Sequence, residues 1–249
     1  MTTKPWPTDK IVRRTAGGVL ADRYFYFSMS VLIAVVVVYG FSHTVGKKLI
    51  YAVPDRPFLL YLHAGVFSGW VAFFIFQAAL VRTRNVRLHR IIGWFGVALG
   101  VAIPIMGVTT AITMARFKMT YLHATETASG LGLVVSFFDM IAFAVPFALA
   151  IYWRNKPEFH RRLILIATCA LTSAAFARFP KYLVPPGLFY LGVDLLILLG
   201  VIRDLIADRR IHRIYLWALP LLLMGQVFAL YTVIKDLPYW VRISHAILG

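Results

Sequence analysis

The chain has 249 residues, of which 60% are hydrophobic and 14% are charged. A soluble domain of this length cannot bury so much apolar surface, and the composition therefore excludes a soluble globular protein. The net charge of +16 would suit a nucleic-acid ligand. However, the basic residues gather at the ends of apolar runs, where membrane topology and anionic lipid head groups account for them. We expect the lipid bilayer as a partner, and no nucleic acid.

The apolar runs predict an all-α integral membrane protein built as a seven-transmembrane helix bundle, since about 20 residues of helix cross the hydrocarbon core. Their continuous rather than alternating hydrophobicity argues against a β-barrel. The predicted domains are a basic cytoplasmic tail over 1–23, the bundle over 24–234 and a short interfacial segment over 235–249, with Trp240, Ile243 and Ile247 facing lipid. The seven predicted spans are 24–45, 59–81, 89–114, 128–153, 161–177, 187–203 and 213–234.

The distribution of Lys and Arg predicts the orientation of the bundle. With a cytoplasmic N-terminus, 17 of the 26 basic residues lie on the cytoplasmic side and nine on the other. Because cytoplasmic loops carry the excess of positive charge, we expect the N-terminus in the cytoplasm and the C-terminus outside. The expected location is the cell inner (plasma) membrane, with multiple passes.

A His-Arg pair stands at the entry of three predicted spans, at His89-Arg90, His160-Arg161 and His212-Arg213. Histidines at matched depth on different helices are what a metal or haem site requires. His89 and His160 form the predicted inner pair, and His63 and His123 lie toward the opposite surface as a predicted outer pair. A purely structural interpretation is equally open, because basic and histidine side chains at a helix entry also reach lipid phosphates.

Further residues near the inner pair fit a haem site. Gly93 follows His89 by one helical turn and leaves room for a flat ring, while Arg90, Arg161 and Arg162 could pair with propionates. Small residues also let transmembrane helices pack closely without any ligand. The lone cysteine, Cys169, excludes an iron–sulfur cluster held within one chain.

Three polar residues of interest, Gln77, Asp139 and Asp194, fall inside the predicted spans, and Arg178 directly follows the fifth span. An ionised side chain inside a span is costly. Asp194 is expected to pair with Arg178, since both lie toward the outer side on consecutive spans. Asp139 has no evident cation at its depth, which makes it the better candidate for proton uptake. Gln77 could form a hydrogen bond across the bundle or contact a quinone head group.

Two resemblances follow from these residues. The two layers of histidines resemble, in architecture, the cytochrome b561-like membrane cytochromes, which implies b-type haem clamped between helix pairs. The series His63, Gln77, His89-Arg90-Ile91-Ile92-Gly93, His160-Arg161 and Arg178 resembles a widespread group of uncharacterised bacterial multi-pass membrane proteins. This second likeness implies membership without implying an activity.

Three classes of function stay open at this point. The first is electron transfer through haem b held by paired histidines, with a redox partner. The second is a non-catalytic accessory or structural subunit of a larger membrane complex, with other membrane subunits as partners. The third is a proton-coupled transporter that uses Asp139 and Asp194, although no clear inverted repeat is evident.

Overall fold

The computed structural model of the protein describes the backbone of residues 16–249 and the side chains from residue 24 onward. The predicted basic tail over 1–23 therefore lies largely outside the described residues. The described part is helical and contains no strand. Its helices are α1 Ala16–Ser42, α2 Phe58–Arg82, α3 Val86–Leu122, α4 Glu126–Tyr152, α5 Pro157–Ala170, α6 Ser173–Phe176, α7 Phe189–Asp208, α8 Arg213–Lys235 and α9 Pro238–Leu248, with a short π-helical segment, Gly46–Ile50, between α1 and α2.

Five of these helices are long and apolar enough to cross a membrane: α1 from residue 24, α2, α3, α4 and α8. The all-α architecture and the membrane character expected from the sequence are thus confirmed. The other two predicted spans are also helical but are not among these five. The predicted 161–177 span divides into α5 and α6, and α7 carries Arg203, Asp204 and Asp208 near its end.

Local sequence signals define several helix ends. Asn85 begins α3 by accepting a hydrogen bond from the Leu88 amide, and Thr125 begins α4 by accepting one from the Ala128 amide. Between them, His123 ends α3 in the left-handed conformation, with φ of 51°. Pro157 opens α5 at its first turn, where a missing amide hydrogen costs nothing.

Helix α4 is central to the bundle, since it packs against α3, α5, α8 and α9. On one flank, α1, α5, α7 and α8 enclose the largest core cluster, with Leu163, Leu165 and Ile197 fully buried. On the other flank, α2, α3 and α4 meet around Trp70, Ile103 and Phe143. We refer to the end of the bundle that contains the start of α3 as the His89 side, and to the opposite end as the His63 side.

The C-terminal helix α9 differs from the expectation that its apolar residues face lipid. Trp240 donates a hydrogen bond from Nε1 to the Gly130 carbonyl at 3.0 Å, and Ile247 packs on a small cluster around Ala115 and Leu133. Only Ile243 is exposed as predicted. The reason is that α3 and α4 offer α9 an apolar surface of protein.

Candidate functional site

A cavity of about 860 Å³ opens at the His89 side between α2, α3 and α5. Its volume lies within the range of small-molecule and cofactor sites, about 300–1,000 Å³. His89 and His160 both line it, together with Gln77, Arg90, Arg161 and Gly93. The structure thus gathers around one space five of the residues predicted for the inner site, together with Gln77, which was predicted as a polar contact or quinone ligand.

The imidazole rings of His89 and His160 lie close together in an edge-to-face arrangement. Their centroids are 6.4 Å apart and their planes are inclined by 79°. Two imidazoles bound on opposite sides of one metal ion, with metal–nitrogen bonds of about 2 Å, have ring centres roughly 6 Å apart. The separation of the two rings is therefore compatible with a shared metal ion.

His160 is held in one tautomer by the protein. Its Nδ1 donates a hydrogen bond to the carbonyl of Ala150 at 2.9 Å, and a carbonyl can only accept. The proton therefore resides on Nδ1, which leaves the lone pair of Nε2 available to a ligand. Metal-binding histidines are commonly oriented by such a bond to a backbone carbonyl.

Several polar groups at this cavity have no hydrogen-bond partner. They are the Tyr26 hydroxyl, the Trp70 indole nitrogen, the His89 Nδ1 and both amide atoms of Gln77. Gln77 is only 8% exposed. Unpaired buried polar groups are rare because each costs about 1–3 kcal/mol, so this concentration at one cavity points to a missing ligand or to water.

The cavity walls combine open space, aromatic side chains and arginines, which suits an aromatic, anionic ligand. Gly93 lies on the same helix face as His89, and a β-carbon at this position would meet nothing within 4 Å. Phe73, Phe147 and Trp94 supply apolar faces, and the cationic lining consists of Arg82, Arg84, Arg90, Arg154 and Arg161.

Arg162, which was expected to join the propionate pairs, faces the opposite way. It forms a bidentate pair with Asp204, at 2.8 Å from Nε and 2.7 Å from Nη2, and also contacts Glu158 and Asp208. Arg203 binds the same two aspartates. We call Glu158, Arg162, Arg203, Asp204 and Asp208 the arginine–aspartate network.

Sequence reasoning missed this network, although three charged residues in the last turns of an apolar helix were a usable signal. The network also affects the cavity, because Arg161 binds the carboxylate of Glu158 at 2.6 Å. Glu158 lies outside the five membrane-spanning helices. Burial opposes its ionisation, but the hydrogen bond from Arg162 and the charge of Arg161 outweigh burial and lower the Glu158 pKa below its ordinary value.

The predicted outer pair is not brought together. His63 stacks on Phe67, with centroids 4.0 Å apart, and lies beside the backbone of Met106 on α3. His123 is exposed at the end of the same helix, 17 residues further on, which corresponds to about 25 Å of helix. The cause is the length of α3, which continues well beyond the predicted end of its span at residue 114.

The predicted pair of Asp194 and Arg178 is also not formed. Asp194 accepts a hydrogen bond from Gln226 Nε2 at 2.9 Å, because this face of α7 packs against α8. The Arg178 guanidinium lies over the ring of Phe41, 4.5 Å from its centroid. Helix α7 starts only at Phe189, and Asp194, in its second turn, lies on the face that meets Gln226 of α8.

Asp139 lies among hydroxyl groups, in agreement with the absence of a cation at its depth. It accepts hydrogen bonds from the Ser173 hydroxyl at 2.6 Å and from the Tyr190 hydroxyl at 2.8 Å. Neither Asp139 nor Asp194 lines the cavity at the His89 side.

Among the described residues, no group of three or more His, Cys, Asp or Glu side chains is arranged to hold a metal ion. Any metal at the cavity would therefore rely on the two imidazoles and on ligands that are not carboxylates or thiolates. No protein-family model, no curated protein and no solved structure matches the chain.

Proposed function

We propose that the protein is an electron-transfer protein of the cell inner (plasma) membrane that binds haem b between His89 and His160. The observation that carries this proposal is the pair of imidazoles 6.4 Å apart at a cavity of about 860 Å³. Haem bound at this cavity would supply one-electron redox chemistry. The protein supplies the ligands, the apolar walls and the counter-charges.

Each part of the cavity has a task in this proposal. Nε2 of His160 is free to bind because its Nδ1 is tied to Ala150, and His89 supplies the second imidazole. Gly93 leaves the space that the flat ring requires. Arg90 and Arg161, which line the cavity, would hold the carboxylates of the propionate groups.

The proposal includes a bundle of seven spans with the N-terminus in the cytoplasm. Helix α7 has 20 residues and is about 30 Å long, which matches the hydrocarbon core. Its charged end is neutralised within the arginine–aspartate network. Helix α5 is short, but its residues from Leu163 to Ala170 are shielded by other helices, so that α5 and α6 need not match lipid themselves.

A difference spectrum tests the haem assignment. The purified protein, reduced minus oxidised, should show the sharp visible bands of low-spin haem, and His89→Ala and His160→Ala should each abolish them. The matched control is His43→Ala, because His43 is exposed and contacts only its own helix end. A colourless wild-type protein after expression with added haem would refute the proposal.

Filling the cavity provides a second test that leaves both histidines in place. Gly93→Phe projects a ring into open space and should exclude haem while the protein stays folded. Gly65→Phe is the matched control, since Gly65 also has open space around it but lies outside the cavity lining. Retention of the full haem content in Gly93→Phe would contradict the proposed position.

The unpaired amide of Gln77 favours a quinone as a second candidate ligand of this cavity. An amide N–H can donate to a quinone carbonyl, and the apolar walls suit the rest of the ring. Solvent extraction of the purified protein followed by chromatography distinguishes the two ligands. The second candidate is favoured if the wild-type protein shows no haem bands but contains extractable quinone, and if Gln77→Leu loses that quinone.

A further inference from the structure

Four different segments each carry one cationic side chain at the His63 side. Lys48 belongs to the π-helical segment, Arg56 to the loop before α2, Lys118 to the end of α3, and Arg178 to the connection after α6. The charges of Lys48, Arg56 and Arg178 all act on the Lys118 ammonium. We call these four residues the cation cluster.

Contacts with neighbouring groups hold the cation cluster in place. The Arg56 guanidinium lies over the ring of Phe117, 5.0 Å from its centroid. Phe117 directly precedes Lys118 in the sequence. The Tyr61 hydroxyl donates a hydrogen bond to the Leu49 carbonyl at 3.0 Å, which fastens the Lys48 segment to α2. The cluster is therefore part of the folded bundle.

None of the four cations forms an ion pair with a carboxylate of the described residues. Asp55, next to Arg56 in the sequence, is exposed and makes no ion pair, and Glu126 contacts His245 instead. Nη1 of Arg56 is buried without a hydrogen-bond partner. The Arg178 guanidinium makes one hydrogen bond, to the Ala174 carbonyl, and has further donors to offer.

Like charges that converge without a counter-ion destabilise a fold, and a buried guanidinium nitrogen without an acceptor adds to that cost. Both costs are removed by an anion with several acceptor oxygens. A phosphate group meets this need better than a single carboxylate, since it offers three oxygens and, as a monoester, nearly two negative charges. Arginine also recognises phosphate with paired hydrogen bonds.

We propose that the cation cluster is a binding site for a phosphate group, independent of the haem site at the other end of the bundle. Arg56 and Arg178 donate hydrogen bonds to the phosphate oxygens, and Lys48 and Lys118 add charge at the open side. The phosphate belongs either to a lipid head group at the membrane surface or to a free phosphate monoester in solution.

The experiment has two arms, both on the full chain. In the first, calorimetry measures the binding of glycerol 3-phosphate to delipidated protein in detergent. In the second, native mass spectrometry measures retention of phosphatidic acid after incubation with lipid. Binding in the first arm assigns a soluble monoester, and retention in the second arm alone assigns a lipid head group.

The variant is Lys48→Gln combined with Lys118→Gln, because both side chains are exposed and their loss leaves the fold intact. Its affinity should fall about tenfold or more, as expected when two charge-assisted contacts are removed. The matched control is Lys181→Gln with Lys235→Gln, an equal change of charge at exposed positions outside the cluster. Absence of binding in both arms, or an equal loss in the control, would overturn the proposal.

Discussion

The two ends of the bundle differ in how their positive charges are paired. At the His89 side, Arg162 is 1% exposed and Asp204 is fully buried, and cations alternate with carboxylates in one connected network. At the His63 side, Arg56 and Arg178 lie over aromatic rings, and no carboxylate of the described chain pairs with them.

This difference separates cations that pair with carboxylates inside the protein from cations that pair with no carboxylate of the described residues. In the arginine–aspartate network each charge is compensated within the protein, so removing one member leaves another buried and unpaired. In the cation cluster the charges repel one another, so removing one member relieves the repulsion. The same type of substitution should therefore have opposite effects at the two ends.

The largest effect is expected for Arg162→Gln at the His89 side. This change removes the bidentate partner of Asp204 and a partner of Glu158 and Asp208. Loss of one partner from a buried ion pair costs about 3–5 kcal/mol. Unfolding in detergent, followed by circular dichroism, measures the loss, and Arg87→Gln at an exposed position should change little. An unchanged stability would show that the network does not hold α5 to α7.

Asp139, between the two ends, should show the next largest effect. Asp139→Leu removes the acceptor of the Ser173 and Tyr190 hydroxyls, at about 1–3 kcal/mol for each buried group left unpaired. Asp139→Asn keeps an acceptor oxygen and should cost about 1 kcal/mol or less. Thermal unfolding of the two variants measures the difference. If both lose equal stability, the two hydroxyl contacts do not stabilise the bundle.

Lys118→Gln at the His63 side is expected to stabilise the protein slightly. In buffer of low ionic strength without phosphate, relief of repulsion at an exposed position is worth about 0.5 kcal/mol. The gain should vanish in high salt, because exposed charges are screened. The difference in melting temperature between Lys118→Gln and the wild type, taken at two salt concentrations, measures this gain. A loss of stability in low salt would show that Lys118 has an internal partner.

The smallest effect is expected for Glu158, whose carboxylate joins the network to Arg161 at the cavity. Its pKa in the folded protein lies below the ordinary value of 4.5. Its stabilising effect is therefore complete above pH 4.5 and is lost as the pH falls through the lower folded value. The melting temperature should consequently fall less steeply below pH 4.5 in Glu158→Gln than in the wild type. Identical pH profiles would contradict this role.

The amino-acid sequence by itself determined the class of the protein, the approximate positions of its long apolar helices and the level of each polar residue along its own helix. Depth follows from the constant rise of a helix, about 1.5 Å per residue, and needs no knowledge of neighbours. For this reason His89 and His160, which begin helices on the same side, could be expected at one level.

Only the tertiary structure decided which side chains at one depth face each other. Consecutive residues on a helix point about 100° apart, so Arg161 lines the cavity while Arg162 turns into the network. The direction of each face depends on how the helices pack, which separates Asp194 from Arg178 and joins it to Gln226. The extension of α3, with its effect on His63 and His123, depends likewise on the support that α4 and α9 give it.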